Sequence, residues 1–248
     1  MPDTLTGMQG RTAVVTGAGQ GLGRADAQRL SRDGFHVVCL DRDGDAAHAT
    51  ADQVGGTGHQ CDVTDRDAVH AVATQVAECH ALVNNAGIWR FHSILDMAPE
   101  DAQAVHDVNV LGIIWCAQAF VPHLRAAGGG SIVNMSSGAA WTHSPGLGLY
   151  PATKSAVESL TKTMALELGP DNIRANAIGP GLIVSDGTAG NYQGERAAQR
   201  AKGVPMGRLG SPDDIADVVA FLCGDDSRYV SGQVIYVDGG ITAGAMAR

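Results

Sequence analysis

In the stretch GLGLYPATKSAVESL, residues 146–160, a phenol at Tyr150 precedes an ammonium at Lys154 by four residues. Residues four apart on a helix share a face, about 5–6 Å apart at Cβ, so the ammonium can hold the phenol's proton loosely. A free tyrosine, with a pKa of about 10, is a poor base at neutral pH. A neighbouring positive charge favours the phenolate and makes the pair suited to exchanging a proton with an alcohol or carbonyl oxygen. Pro151 is tolerated in the first turn of a helix but biases Tyr150 itself away from helical angles, so an irregular helix start is expected. An isolated Tyr-x-x-x-Lys is equally the pattern of a half-buried tyrosine beside a snorkelling lysine, so its chemistry depends on what surrounds it.

A second group of residues is suited to holding phosphate. The run RTAVVTG leads into TGAGQGLG, with Gly17, Gly21 and Gly23 at the turn, and the helical pattern RADAQRLSRDG follows at once. Glycines let the backbone approach a pyrophosphate, and a helix N-terminus offers it free N–H groups and a positive dipole end. The next apolar run ends in Asp41, near the spacing at which an acid meets the adenosine ribose of a dinucleotide.

These groups need a scaffold. RTAVVTG, FHVVCLD, GHQCDV, ALVNNAG, GSIVNMSS, IRANAIGPG and GQVIYVDGG read as seven strands separated by amphipathic helical segments. Apolar runs buried on both faces predict an α/β fold: a Rossmann-like, doubly wound parallel sheet with helices on both faces and ligands at the carboxyl ends of its strands. Thr64 ahead of DRDAVHAVATQVAE and Ser211-Pro212 ahead of DDIADVVAFLC mark helix starts. A single catalytic domain over residues 1–248 is expected. The polar segment at about 185–203, with a helical patch at ERAAQRAK, interrupts the alternation and reads as a lid or substrate loop.

Charge and composition exclude some classes. A net charge of -9 with no basic run argues against a nucleic-acid partner. Five cysteines, an odd number without a C-x-x-C pair, read as reduced core residues and suggest a cytoplasmic protein. The N-terminal MPDTLTGMQG lacks a basic flank and an apolar core, and the apolar stretch near 110–121 reads as too short to span a bilayer. The nine histidines do not show zinc-ligand spacing, so no metal is expected.

The glycine spacing T-G-x-x-x-G-x-G, NNAG at 84–87, Asn109 in DVNVLG, NMSS with Ser137, and Tyr150 with Lys154 together resemble the short-chain dehydrogenase/reductase family, and the likeness runs over essentially the whole chain. That resemblance implies a catalytic tetrad of Asn109, Ser137, Tyr150 and Lys154. Ser137 would hydrogen-bond the substrate oxygen, Asn109 would hold a water that relays protons, and Lys154 would also bond the nicotinamide ribose. It further implies dinucleotide contacts from Gln20 and Leu22 in the glycine turn, from Asp62 and Val63 at the adenine, and from Asn85, Ile183 and Ser185 around the ribose and nicotinamide. Ser185 replaces the family's usual threonine and keeps its hydroxyl. The connection between CDVTD and LVNNAG is a few residues shorter than usual, which leaves open where its helix ends.

The expected activity is interconversion of a secondary alcohol and a ketone, with NAD as cofactor because Asp41 would repel a 2′-phosphate and Gln20 is neutral where NADP-preferring relatives place a cation. Ile88, Trp89, Ala139, Ala140, Trp141, His143, Leu147 and Tyr192 are candidate pocket residues and suggest a hydrophobic or cyclic small-molecule substrate. Two alternatives stand beside this: a 3-oxoacyl-carrier-protein reductase, disfavoured because Ser131 and Asp171 stand where such reductases resemble one another in carrying docking arginines, and a dinucleotide sensor without catalysis. No membrane partner is expected. A homotetramer is, through VLGIIWCAQAFVPHL and KSAVESLTKTMALEL, which are apolar for exposed helices.

Overall fold

Valine- and alanine-rich runs alternate with helices in the computed structural model, which describes residue 8 and residues 10–244. The N-terminal stretch examined for a leader therefore lies largely outside the described residues. Seven strands form one sheet: β1 (Thr12–Thr16), β2 (His36–Asp41), β3 (Thr57–Gln60), β4 (Ala81–Asn84), β5 (Gly130–Met135), β6 (Ile173–Pro180) and β7 (Val234–Val237). Their order is β3-β2-β1-β4-β5-β6-β7 and every pairing is parallel. The order reverses between β1 and β4, so a crevice opens at the carboxyl ends of those two strands.

Side chains alternate across the sheet, and consecutive residues of β1 enter different cores. Val14, Leu82 and Ile132 pack with Val69, Phe120 and Leu124 from α3 (Arg66–Ala73) and α5 (Gly112–Ala126). Val15, Val83 and Val133 pack on the other face with Leu30, Ile215 and Val219 from α1 (Gly21–Arg32) and α8 (Pro212–Cys223). The remaining helices are α2 (Gly44–Val54), α4 (Pro99–His106), α6 (Tyr150–Leu168) and α7 (Gly194–Lys202).

Several sequence expectations need correction. The third strand stops at Gln60, and Cys61, Asp62 and Val63 continue as the loop at its carboxyl end. Asp65, not Thr64, caps α3 by accepting from the N–H groups of Asp67 and Ala68, because Thr64 is already bonded to Asp62. Ser211 caps α8 in a reciprocal pair with Asp214, as its sequence implies. Tyr150 opens α6 in regular fashion: Leu149 has helical angles, and Pro151 sits in the first turn, where its missing N–H costs nothing.

The apolar stretch near 110–121 belongs to a continuous helix over Pro99–Ala126, 28 residues in all, which is long and apolar enough to cross a membrane by length and composition. More than half of its most apolar window is buried within the protein, and Ile113, Cys116, Phe120 and Leu124 face the sheet. Much of the apolar character assigned to an assembly surface on this helix is thus consumed internally. All five cysteines are buried free thiols, and burial pushes Cys39 and Cys79 up to about 12.

Candidate active site

The carboxyl ends of β1, β2, β4, β5 and β6 open into a cleft of about 880 Å³. At one end, β1 turns into α1. Gly17 has φ +65°, and a Cβ on Gly23 would collide with the Gly17 carbonyl oxygen, so the turn packs this tightly only with glycine at both positions. Asn85 locks it further by donating from Nδ2 to the carbonyls of Thr16 (3.0 Å) and Gly17 (3.1 Å). Its Nδ2 is therefore engaged in the turn, and the residue lines the cleft.

The start of α1 differs from those of its neighbours. Asp43, Asp65 and Ser211 cap α2, α3 and α8, whereas Gln20 supplies no side-chain cap to α1 and its first turn carries no acidic residue. Its leading N–H groups point to the cleft without an intrahelical partner. Asp186 of the 185–203 segment reaches across to them, accepting from Gly21 N at 3.4 Å and pairing with Arg24. Next to this start, the Asp41 carboxylate accepts from Gly19 N (2.9 Å) and from Asp43 N (3.0 Å). A Cβ on Gly19 would stand 2.7 Å from Ala46 Cβ and 2.9 Å from Asp41 Oδ2. Gly19 was not singled out in the sequence, although it is one more glycine of TGAGQGLG. Asp62 also lines the cleft, with Oδ1 held by the N–H and hydroxyl of Thr64.

An uncapped helix start, glycines whose replacement would fill the turn, and a fixed carboxylate a short way off form a cradle that fits a pyrophosphate-linked dinucleotide. Gln20, Gly21, Leu22, Val63, Ile183 and Ser185 line the same cleft. Ser185 keeps its hydroxyl 3.2 Å from that of Thr188, which in turn donates to the Ile183 carbonyl at 2.7 Å. Gly23 lies behind the surface and acts through packing alone.

At the other end stand Ser137, Tyr150 and Lys154. Ser137 follows β5 and caps a short turn, accepting from Ala139 N at 3.1 Å. The Lys154 ammonium is buried and donates to the Met135 carbonyl at 2.8 Å, lying 5.8 Å from the centroid of the Tyr150 ring. Desolvation lowers its pKa from 10.5 to about 8. Burial raises the Tyr150 phenol, a hydrogen bond with Ser137 opposes that rise, and Tyr192 adds to it. Phe91 meets the Tyr150 ring edge to face, with centroids 5.9 Å apart.

Asn109 sits in a π-helical turn, Asp107–Leu111, between α4 and α5, a feature common at functional sites. Its amide is fully buried, accepts from Ile88 N (2.9 Å), and donates to Ile88 O (2.9 Å) and Thr153 Oγ1 (3.2 Å). The side chain thus pins the loop after β4 to α6. A Cβ on Gly87 would stand 3.3 Å from both Asn109 Oδ1 and Lys154 Nζ, so this glycine keeps the two side chains close.

Ile88, Trp89, Ala139, Leu147 and Tyr192 line the cleft as expected. Ala140, Trp141 and His143 do not; Trp141 is 65% exposed and leans toward Tyr236. Sequence reasoning missed Phe91, Thr153, Arg196 and Arg200. For the arginines a signal existed in their spacing of four within ERAAQRAK.

The family model described as enoyl-(acyl carrier protein) reductase matches residues 17–242. An uncharacterised short-chain type dehydrogenase/reductase of Sinorhizobium fredii is 39% identical, with 94% of this chain and 98% of that protein covered. The 3-oxoacyl-acyl-carrier-protein reductase of Thermotoga maritima is 36% identical over 94% of this chain and 98% of its own length. Among solved structures, a gluconate 5-dehydrogenase from Burkholderia cenocepacia in complex with NADP and tartrate superposes with a TM-score of 0.91 at 32% identity, covering 98% of this chain and 99% of that one.

Proposed function

The chain belongs to the short-chain dehydrogenase/reductase family of oxidoreductases, and from that premise we propose that it interconverts a secondary alcohol and a ketone with NAD. The observation that carries this reading is the placement of Ser137, Tyr150 and Lys154 at one end of a cleft whose other end is an uncapped helix start beside Asp41.

When bound, the dinucleotide supplies or accepts the hydride and, in its oxidised form, brings a positive ring. The residues of the chain handle the oxygen. Ser137 holds the substrate oxygen by hydrogen bonding and stabilises its developing charge. Tyr150 gives that oxygen its proton during ketone reduction and removes it during alcohol oxidation. Lys154, whose pKa near 8 keeps it mainly charged at neutral pH, stabilises the phenolate across the shared helix face. Asn109 acts by position, fixing the loop through Ile88 against the helix that carries Tyr150 and Lys154. A ribose hydroxyl would find Asp41 already oriented by two backbone donors, and the same carboxylate would repel a 2′-phosphate, which supports NAD over NADP. Arg42 also lines that end and is compatible with either cofactor, since a guanidinium there can stack on the adenine.

The second reading, a 3-oxoacyl-carrier-protein reductase, draws on the similarity to the Thermotoga maritima enzyme. Against it, Ser131 is buried and donates to the Leu222 carbonyl, so its place is not on a docking surface, and Asp171 is paired with Arg125. Neither position offers a free cation to an acidic carrier. Buried free thiols support a cytoplasmic setting. Leu166 of α6, 81% exposed, supports association through that helix into a homotetramer.

The test is dinucleotide absorbance with a panel of secondary alcohols, comparing kcat/KM for NAD and NADP, with light scattering for the assembly. Turnover faster with NAD, by a tetramer, is expected. No turnover with any alcohol or ketone would leave a dinucleotide sensor; equal use of both cofactors would remove the role of Asp41.

A further inference from the structure

Arg196 and Arg200 lie four residues apart on α7 and so share a helix face, and both line the catalytic cleft together with Tyr192. The Arg200 guanidinium stacks 5.1 Å from the centroid of the Tyr192 ring. Tyr192 in turn lies close enough to Tyr150 to raise the catalytic phenol's pKa, which puts this arginine at the reacting end of the cleft and away from the adenine end. Neither guanidinium has a carboxylate partner among the described residues; Arg32, Arg42, Arg66, Arg174 and Arg228 lack one too, but of these Arg42 alone lines the cleft, beside Asp41 at the adenine end. The carboxylates that line the cleft are engaged otherwise: Asp41 with Gly19 and Asp43, Asp62 with Thr64, and Asp238 with the N–H groups of Gly240 and Thr242.

Two guanidinium groups without carboxylate partners beside the apolar walls at the reacting end of the cleft, in a protein of net charge -9, constitute a local anion site. The walls near Tyr150 are Phe91, Trp89, Ile88 and Leu147, which accept a hydrocarbon or aromatic body. We propose that the substrate is an anionic hydroxy or oxo compound whose apolar body lies against Phe91 and Leu147 and whose carboxylate or phosphate is held by Arg196 and Arg200. This rests on the oxidoreductase reading above and narrows its substrate class. The dinucleotide's own pyrophosphate is the competing occupant; its place is the α1 start at the other end of the cleft, where it would compete with Asp186.

The probes are para-acetylbenzoate and its methyl ester, which share a reducible ketone and differ in one charge. Wild-type enzyme with NADH is expected to reduce the acid with a kcat/KM roughly ten- to a hundredfold above that of the ester. The double variant Arg196→Ala/Arg200→Ala should lose that preference while keeping ester turnover and NADH affinity within about twofold, and Arg200→Lys should retain part of it. Equal turnover of acid and ester by the wild type overturns the proposal, as does a double variant that loses NADH affinity, which would assign the arginines to the cofactor. Calorimetric titration of the NADH-bound enzyme with the acid separates the two readings. Arginine-dependent binding without reduction upholds the anion site and sinks the alcohol–ketone reading; neither binding nor reduction of the acid sinks the anion site.

Discussion

The two ends of the cleft are built by different means. At the dinucleotide end the contacts are backbone and glycine: Asn85 bonds two carbonyls, Asp41 bonds two N–H groups, and Gly23 packs on Gly17. At the substrate end the walls are side chains on loops and on α7, a helix with no buried residue. Trp89 there is 38% exposed. A ligand of constant shape allows a fixed mould in which each element is held from behind. A ligand that varies between related proteins is met by side chains on segments the core does not constrain, so they can change without disturbing the sheet.

The largest test of this division is Tyr150→Phe, which removes one oxygen at the junction of the two ends. Turnover should fall by roughly a thousandfold or more, since proton transfer at the substrate oxygen is lost. NADH affinity, measured by fluorescence titration, should change less than about threefold. A variant with near wild-type kcat would remove Tyr150 from the chemistry. Next is Asp41→Asn, a more informative change than alanine because the amide oxygen can still accept from Gly19 N. Removing the charge, together with the acceptor for Asp43 N, should relax a preference for NAD over NADP of roughly 30- to 1000-fold, corresponding to about 2–4 kcal/mol. An unchanged ratio of kcat/KM in this variant would make Asp41 a strut for the loop and nothing more.

The same division explains what could be read from the sequence. The sheet, the glycine turn and the Tyr150–Lys154 pair were legible because each depends on local pattern: strand periodicity, residues that tolerate the turn, and a spacing of four. The positioning role of the Asn109 side chain is not legible in the sequence, since only the fold brings the Ile88 backbone and Thr153 around its amide. The burial that raises the Tyr150 phenol is also set by the fold and is not visible in the sequence. The role of Trp141 was likewise hidden, because a loop residue's direction is set by neighbours distant in sequence, here Tyr236.

One residue breaks the pattern at the well-satisfied end. Asp26, in the middle of α1, is fully buried and neither carboxyl oxygen has a hydrogen-bond partner. Desolvation holds its pKa well above the ordinary 3.8. The folded state therefore binds this proton more tightly than the unfolded chain does. The associated stability is fully present below about pH 4 and is lost as pH rises toward the folded value. Asp26→Asn, which cannot ionise, should accordingly raise stability more at neutral pH than near pH 4. Thermal unfolding at the two pH values checks this; an equal change at both would show that the ionisation of Asp26 does not affect stability.

The smallest effect concerns a contact between the 185–203 segment and the dinucleotide end. Asp186, at the beginning of the 185–203 segment, accepts from Gly21 N and pairs with Arg24, so a carboxylate from the substrate side sits on the N–H group that a pyrophosphate would need. A helix start favours whichever anion reaches it, and the two must compete. The partners are 38% and 51% exposed, which limits the strength of the contact: exposed pairs contribute about 0.2–1 kcal/mol, or at most a fivefold change in an equilibrium. Asp186→Ala should therefore tighten NADH binding two- to fivefold, the gain shrinking as salt screens the pair. The opposite sign has an equally definite meaning. If Asp186 instead holds the segment closed over a bound dinucleotide through Arg24, the alanine variant will bind NADH more weakly, and Arg24→Ala will weaken it by a similar factor without adding to the effect in the double variant. Fluorescence titrations of the three variants at low and high salt decide between a carboxylate that competes with the cofactor and one that fastens the segment over it.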